Sequence, residues 1–171
     1  MNVCVFGAGN MGARIAEVFL TNGHNVTMLD IKQEFIDRGV KTITGDLNFL
    51  VKKEKMTAER KDELLAGLKT SVDRSAAKDA DFIMEVILER MDLKKELLKD
   101  LDGILPANCI IGTNTSALSI TEIASAVPNR ADKVIGCHFF NPAQIMKLVE
   151  VTRGIQTSDE TFKTAFELMS S

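Results

Sequence analysis

The sequence predicts an α/β fold, a doubly wound and mostly parallel sheet, from three observations. Short apolar runs alternate with amphipathic segments along the 171 residues. A glycine turn, Gly7-Ala8-Gly9-Asn10-Met11-Gly12, joins the first run to the first amphipathic segment, and the second run ends on an acidic residue, Asp30. Asn2 to Phe6 has no polar alternation after Asn2, as expected of a parallel strand covered on both faces, and is expected to be the central strand. Gly7 lets the chain turn sharply out of it, Gly9 lets a pyrophosphate approach the backbone, and Gly12 lets the following helix pack closely. That helix, carrying Ala13, Ile15, Ala16, Val18 and Phe19 on its apolar side, would aim its positive dipole end and free N–H groups at phosphates. The unit is Rossmann-type, and Gly7, Ala8, Gly9, Asn10, Met11 and Gly12 are its expected cofactor contacts. Asp30 closes the strand Asn25 to Leu29, where a carboxylate receives the adenosine ribose hydroxyls and repels a ribose phosphate. NAD is therefore favoured over NADP; the competing reading is that Asp30 caps the next helix.

Beyond Asp30 a helical excursion interrupts the alternation. Apolar residues at three-to-four spacing from about 34 to 67 give two helices parted near Lys55 to Thr57, with Thr57 as cap. A helical hairpin projecting from the sheet is the simplest arrangement. A short strand near Thr70 to Val72, a short helix around Ser75 to Lys78, a buried strand Asp81 to Ile87 and a helix Met91 to Leu101 follow. Cys109 to Thr113 is the fifth parallel strand, Ile120 to Ala126 a helix stopped by Pro128, and Val134 to Phe139 the sixth strand. Asn141-Pro142 is a turn, Lys147 to Val151 a strand, and a last helix starts near Ser158 with Phe162, Ala165, Phe166 and Met169 on one face. No linker or repeat is visible, so residues 1–171 read as one domain that ends in mid-architecture.

Composition narrows the function classes. A formal charge of −3 argues against nucleic acid as a partner, which needs a positive field. No apolar stretch has membrane-spanning length, and Met1 leads directly into a strand with no signal or transit peptide, so the expected compartment is the cytoplasm, without a membrane partner. Cys4, Cys109 and Cys137 lie in expected buried strands with no C-x-x-C spacing, so core thiols are expected and no metal site.

Candidate chemistry gathers beyond the carboxyl ends of the strands. Asn114-Thr115-Ser116 follows one apolar strand, either beside a bound nicotinamide or as a helix cap. His138 closes another strand, as a catalyst or a hydrogen-bonded structural residue. Glu150 sits inside an apolar run, where an unpaired carboxylate is costly, so it needs a partner, and His138 is the obvious one. Such a His–Glu dyad suits reversible oxidation of a secondary alcohol by a nicotinamide.

The glycine motif, Asn114-Thr115-Ser116, and His138-Phe139-Phe140-Asn141-Pro142 with Met146-Lys147-Leu148-Val149-Glu150 together resemble the L-3-hydroxyacyl-CoA dehydrogenases over essentially the whole chain. The resemblance is to the NAD-binding domain, in the 3-hydroxybutyryl-CoA branch. It implies His138 as general base, Glu150 as its orienting partner and Ser116 as a hydrogen bond to the substrate oxygen. It also implies NAD contacts at Asp30, Glu89, Lys94, Ser116 and Asn141. The hairpin would help cover the coenzyme A portion of an acyl-CoA substrate, with Lys52 and Lys53 as candidate phosphate contacts, unless they are only a solvated face. Arg90 stands where the family has Asn, and Ala117 where a second Ser is common. Family members continue into an all-helical domain that forms most of a homodimer interface; none of it lies within 1–171, so an NAD-binding module with little turnover is the main alternative. Dehydrogenase branches that use a helical Lys as acid or base are disfavoured by the His138 and Glu150 pairing.

Overall fold

A computed structural model describes all residues 1–171. Seven strands form one sheet: β1 (Asn2–Phe6), β2 (Asn25–Leu29), β3 (Lys69–Ser71), β4 (Phe82–Glu85), β5 (Ile110–Thr113), β6 (Val134–Phe139) and β7 (Val149–Arg153). Their order is β3-β2-β1-β4-β5-β6-β7, parallel throughout except for the antiparallel edge pair β6–β7. The doubly wound class is thus as expected. The expected central place of β1 is not: β4 lies at the middle, and β1 beside it. The chain moves outward from β1 through β2 to β3 and then crosses back to β4. The β1/β4 boundary is therefore the topological switch point, where such sheets open a crevice at their carboxyl edge.

Six α-helices cover the two faces: α1 (Asn10–Thr21), α2 (Gln33–Lys52), α3 (Ala58–Gly67), α4 (Met91–Asp102), α5 (Ile120–Ala124) and α6 (Asp159–Ser170). Two apolar clusters follow from the sheet's two sides. One gathers Ile15 and Phe19 of α1, Ile36, Ile43 and Leu47 of α2, and Ala165 and Leu168 of α6 against Val3, Val5, Met28 and Met84. The other gathers Leu97, Leu98 and Leu101 of α4 and Ile123 of α5 against Cys4, Phe6, Ile83 and Ile111. Alternating residues of one strand serve opposite cores, which is why these runs are continuously apolar.

Several elements differ from expectation for identifiable reasons. The hairpin does not project as a unit, because α2 buries a full stripe in the first core and only Leu64 of α3 is buried. Thr57 does cap α3, accepting from the Arg60 N–H. β4 ends at Glu85 rather than Ile87, since the Ile87 N–H turns to the Glu85 carboxylate at 2.8 Å. Cys109 precedes β5 and is buried all the same. Pro128 opens a 3₁₀ turn, Pro128–Lys133, instead of simply ending α5; the nearly buried Arg130 holds it by bonds to Asp102 at 2.6 Å and to the Pro106 carbonyl at 3.0 Å. β7 starts two residues later than expected, leaving Lys147 and Leu148 in the preceding loop. On α6 the buried face is Thr161, Ala165 and Leu168, with Phe162 and Met169 at its margin, while Phe166 is exposed. No helix is long and apolar enough to cross a membrane.

Candidate functional site

The carboxyl edge begins at the glycine turn. Gly7 adopts φ +108°, and a Cβ there would lie 2.5 Å from the Val86 carbonyl oxygen, so only glycine fits. A Cβ at Gly12 would fall 1.8 Å from the Gly7 carbonyl oxygen, so its role is to let α1 start hard against the strand exit. Gly9 is different. It precedes α1 with no side-chain cap, and a Cβ there would meet nothing within 4 Å. The first-turn N–H groups of α1 have no intrahelical acceptors, and no acidic residue occupies that turn. An anion can reach these donors directly, so the residues present fit a pyrophosphate.

Asp30 does not cap α2, whose N-cap is Lys32 without a side-chain bond. Its carboxylate instead accepts from the Ala8 N–H and the Ile31 N–H, both at 2.7 Å. Asp30 is thereby fixed beside the glycine turn, and each oxygen keeps lone pairs for a diol. Asn10 is exposed and its side-chain oxygen accepts from Arg14; Met11 is half-buried.

Across the switch point, the β4 exit and α4 form a connected polar network. Lys94 Nζ lies 2.7 and 2.9 Å from the two Glu85 oxygens and 3.4 Å from Glu89 Oε2. Glu89 Oε1 accepts from the Thr115 hydroxyl at 2.5 Å and the Ser116 N–H at 3.0 Å. Partial burial would push the Glu89 carboxyl up, but the bonds from Thr115 and Ser116 and the Lys94 charge outweigh it and hold it below the usual carboxylate range. The Lys94 side chain has no exposed surface. Glu89 is open, at 41% side-chain exposure. Arg90, the departure next to it, is exposed and bound to Asp92.

Asn114, Thr115 and Ser116 do not cap α5 either; Ser119 does, accepting from the Glu122 N–H. Asn114 accepts from the Phe139 N–H at 2.8 Å, tying the β5 exit to the end of β6. The antiparallel register sets His138 opposite Glu150, and His138 Nδ1 lies 2.9 Å from Glu150 Oε2. The dyad therefore forms. The reason given for it needs correcting: β7 is an edge strand and the Glu150 side chain is 58% exposed, so no desolvation forces the pair. Ser116, Ala117, His138 and Glu150 line one small cavity of about 220 Å³. With Nδ1 engaged, the other ring nitrogen of His138 is left to meet a ligand.

Asn141 follows β6 and is exposed. Lys52 and Lys53 are exposed at the end of α2, with Lys53 over the Phe49 ring at 5.7 Å; neither lines the His138 cavity. Sequence reasoning missed Glu85 and Thr113, and did not foresee that Asn114 ties β5 to β6. Glu85 carried a signal, being an acidic residue ending an apolar run with a Lys in the next helix.

Residues 2–171 match the family model described as 3-hydroxyacyl-CoA dehydrogenase, NAD binding domain. The chain is 43% identical over 171 residues to a 3-hydroxybutyryl-CoA dehydrogenase of Clostridioides difficile, covering 60% of that protein. It is 41% identical over 169 residues to a 3-hydroxyadipyl-CoA dehydrogenase of Escherichia coli K12, covering 35% of it. The solved (S)-3-hydroxybutyryl-CoA dehydrogenase from Ralstonia eutropha superimposes with a TM-score of 0.95 at 43% identity, over 98% of this chain and 59% of that one. The chain thus spans well under two thirds of the length of these relatives.

Proposed function

The chain belongs to the 3-hydroxyacyl-CoA dehydrogenase family through its NAD-binding domain, and on that premise we propose that it serves the reversible oxidation of an (S)-3-hydroxyacyl-CoA, 3-hydroxybutyryl-CoA being the first candidate. The cofactor is NAD, which when bound accepts or returns the hydride at carbon 3. The α1 N-terminus and Gly9 would hold its pyrophosphate, Asp30 its adenosine ribose, and Glu89, Ser116 and Asn141 the nicotinamide side. His138 is the general base, taking the 3-hydroxyl proton on the ring nitrogen opposite Nδ1, and it returns that proton to the ketone oxygen in reduction. Glu150 holds the imidazole in the tautomer this requires and stabilises the imidazolium. The Ser116 hydroxyl donates to the substrate oxygen. Lys52 and Lys53 are candidates for the coenzyme A phosphates, and residues 1–171 act as the cofactor-binding domain.

The observation that carries this reading is the 2.9 Å contact of His138 and Glu150 in the cavity that also holds Ser116. A second reading, NADH binding with little turnover by residues 1–171, is favoured by the 58% exposure of Glu150, because an open dyad acts in a high dielectric. NADH consumption with acetoacetyl-CoA, followed by cofactor fluorescence, separates the two; the absence of Trp and Tyr leaves almost no intrinsic background. The expected result is turnover that His138→Gln lowers about 10²- to 10⁴-fold while NADH binding persists. Binding without turnover selects the second reading, and a His138→Gln variant as fast as the parent overturns the role of His138.

A further inference from the structure

Glu85 has no exposed surface, and three donor groups make four hydrogen bonds to its carboxylate. Lys94 Nζ lies 2.7 and 2.9 Å from its two oxygens, the Ile87 N–H donates to Oε1 at 2.8 Å, and the Thr113 hydroxyl to Oε2 at 2.5 Å. The sheet register explains why they meet. Glu85 is the last residue of β4, paired with Phe6 at the end of β1 on one side and with Thr113 at the end of β5 on the other. The carboxylate therefore lies directly beneath the crevice at the switch point.

An ammonium has three N–H groups, and Lys94 has three carboxylate oxygens around it, two from Glu85 and one from Glu89. Toward the surface Lys94 meets Glu89, whose other oxygen holds the Thr115 hydroxyl and the Ser116 N–H, while the Thr115 oxygen also accepts from the Leu118 N–H at 2.9 Å. We propose that Glu85 is a positioning residue for the nicotinamide side of the cleft: through buried Lys94 it fixes Glu89, and through Glu89 the Thr115–Ser116 turn. The ligand named here rests on the cofactor reading above; the order imposed on the turn does not.

The test separates positioning from bulk stability. The triple variant Glu85→Leu, Lys94→Met, Thr113→Val replaces the buried charges and the hydroxyl by apolar groups of similar size, a class of change that leaves folding intact in favourable cases. Amide hydrogen exchange in the cofactor-free protein reads the turn directly. Exchange at Ser116 and Leu118 should accelerate about tenfold or more relative to the rest of the sheet, as expected for losing a charge-assisted anchor. NADH affinity should fall about tenfold while affinity for ADP-ribose, which lacks the nicotinamide, stays unchanged. A folded triple variant with parental exchange at both amides overturns the proposal. Failure of the parent to bind NADH removes the cofactor reading, and the exchange rates still decide the role of Glu85. If the triple variant does not fold, Glu85→Gln decides, since it removes the charge that holds Lys94 and leaves the bonds of Glu89 to Thr115 and Ser116 in place: faster exchange at Ser116 upholds the relay, and unchanged exchange overturns it.

Discussion

Glu85 and Glu17 are both buried carboxyl groups in one small sheet protein, and the fold treats them in opposite ways. Glu85 takes four hydrogen bonds, two of them from a lysine as buried as itself. Glu17, on α1 and 2% exposed, has one oxygen with no partner. Arg14, the cation nearest in sequence, is engaged with Asn10 and lies with its Nε 3.0 Å from Asp46, out of hydrogen-bond alignment. Burial, with the Asp46 charge adding to it and Arg14 opposing it, pushes the Glu17 carboxyl up to about 7. Every buried side-chain atom lacking a partner, Arg14 Nε, Glu17 Oε2, His24 Nε2 and Gln144 Oε1, lines the same groove of about 1260 Å³ between α1, α2, the β6–β7 loop and α6. The switch-point edge is electrostatically complete and the groove is not. A buried carboxyl without partners holds its proton to higher pH than an exposed one.

Lys94→Met breaks the complete side of this comparison and should have the largest effect. It strands Glu85 without its countercharge, and the expected loss is about 3–5 kcal/mol of folding stability, read by urea denaturation. A loss below about 1 kcal/mol would mean that Glu85 does not depend on the pair. Glu17→Gln tests the incomplete side with the opposite sign. Because the folded-state value is raised, the stability tied to the protonated carboxyl is full below about pH 4.5 and is lost as pH rises to about 7. Glutamine resembles the protonated form at every pH. Glu17→Gln should therefore stabilise by about 2–3 kcal/mol at pH 8 and by almost nothing at pH 4.5, measured as a melting-temperature difference between the two pH values. A pH-independent difference would show that the Glu17 proton is not what separates the two regions.

The contrast also marks what the sequence could convey. Local chemistry was legible: the glycine turn, Asp30, Thr57 as a cap, and the His138–Glu150 pairing follow from spacing and residue type. Strand order was not. A carboxylate in an apolar run needs a partner; Glu150, in such a run, lies on the edge strand β7 and is largely exposed, whereas Glu85 lies on the middle strand and obeys the rule fully. The two runs look alike in one dimension. Only the sheet order, set by crossovers between distant segments, decides which carboxylate is enclosed. Lys94 suffered the same loss: its place one turn into α4 was readable, but not that Glu85 lies beneath it and takes two bonds from its ammonium. The early end of β4 has a smaller cause, a backbone N–H captured by a side chain.

Glu150 supplies the exposed counterpart to both buried groups and the smallest expected change in stability. Its carboxylate is 58% exposed and its partner His138 only partly buried, so solvent screens the pair and glutamine can keep a hydrogen bond at the same distance. Glu150→Gln should change folding stability by less than about 1 kcal/mol. If Glu150 orients the imidazole, the acetoacetyl-CoA rate should fall far more than stability does, about tenfold or more, with NADH affinity retained. A rate loss matched by an equal loss of stability would place Glu150 with Lys94 as a structural support. A rate loss without one separates the exposed pair, which serves a reacting proton, from the enclosed pair, which serves the shape of the crevice.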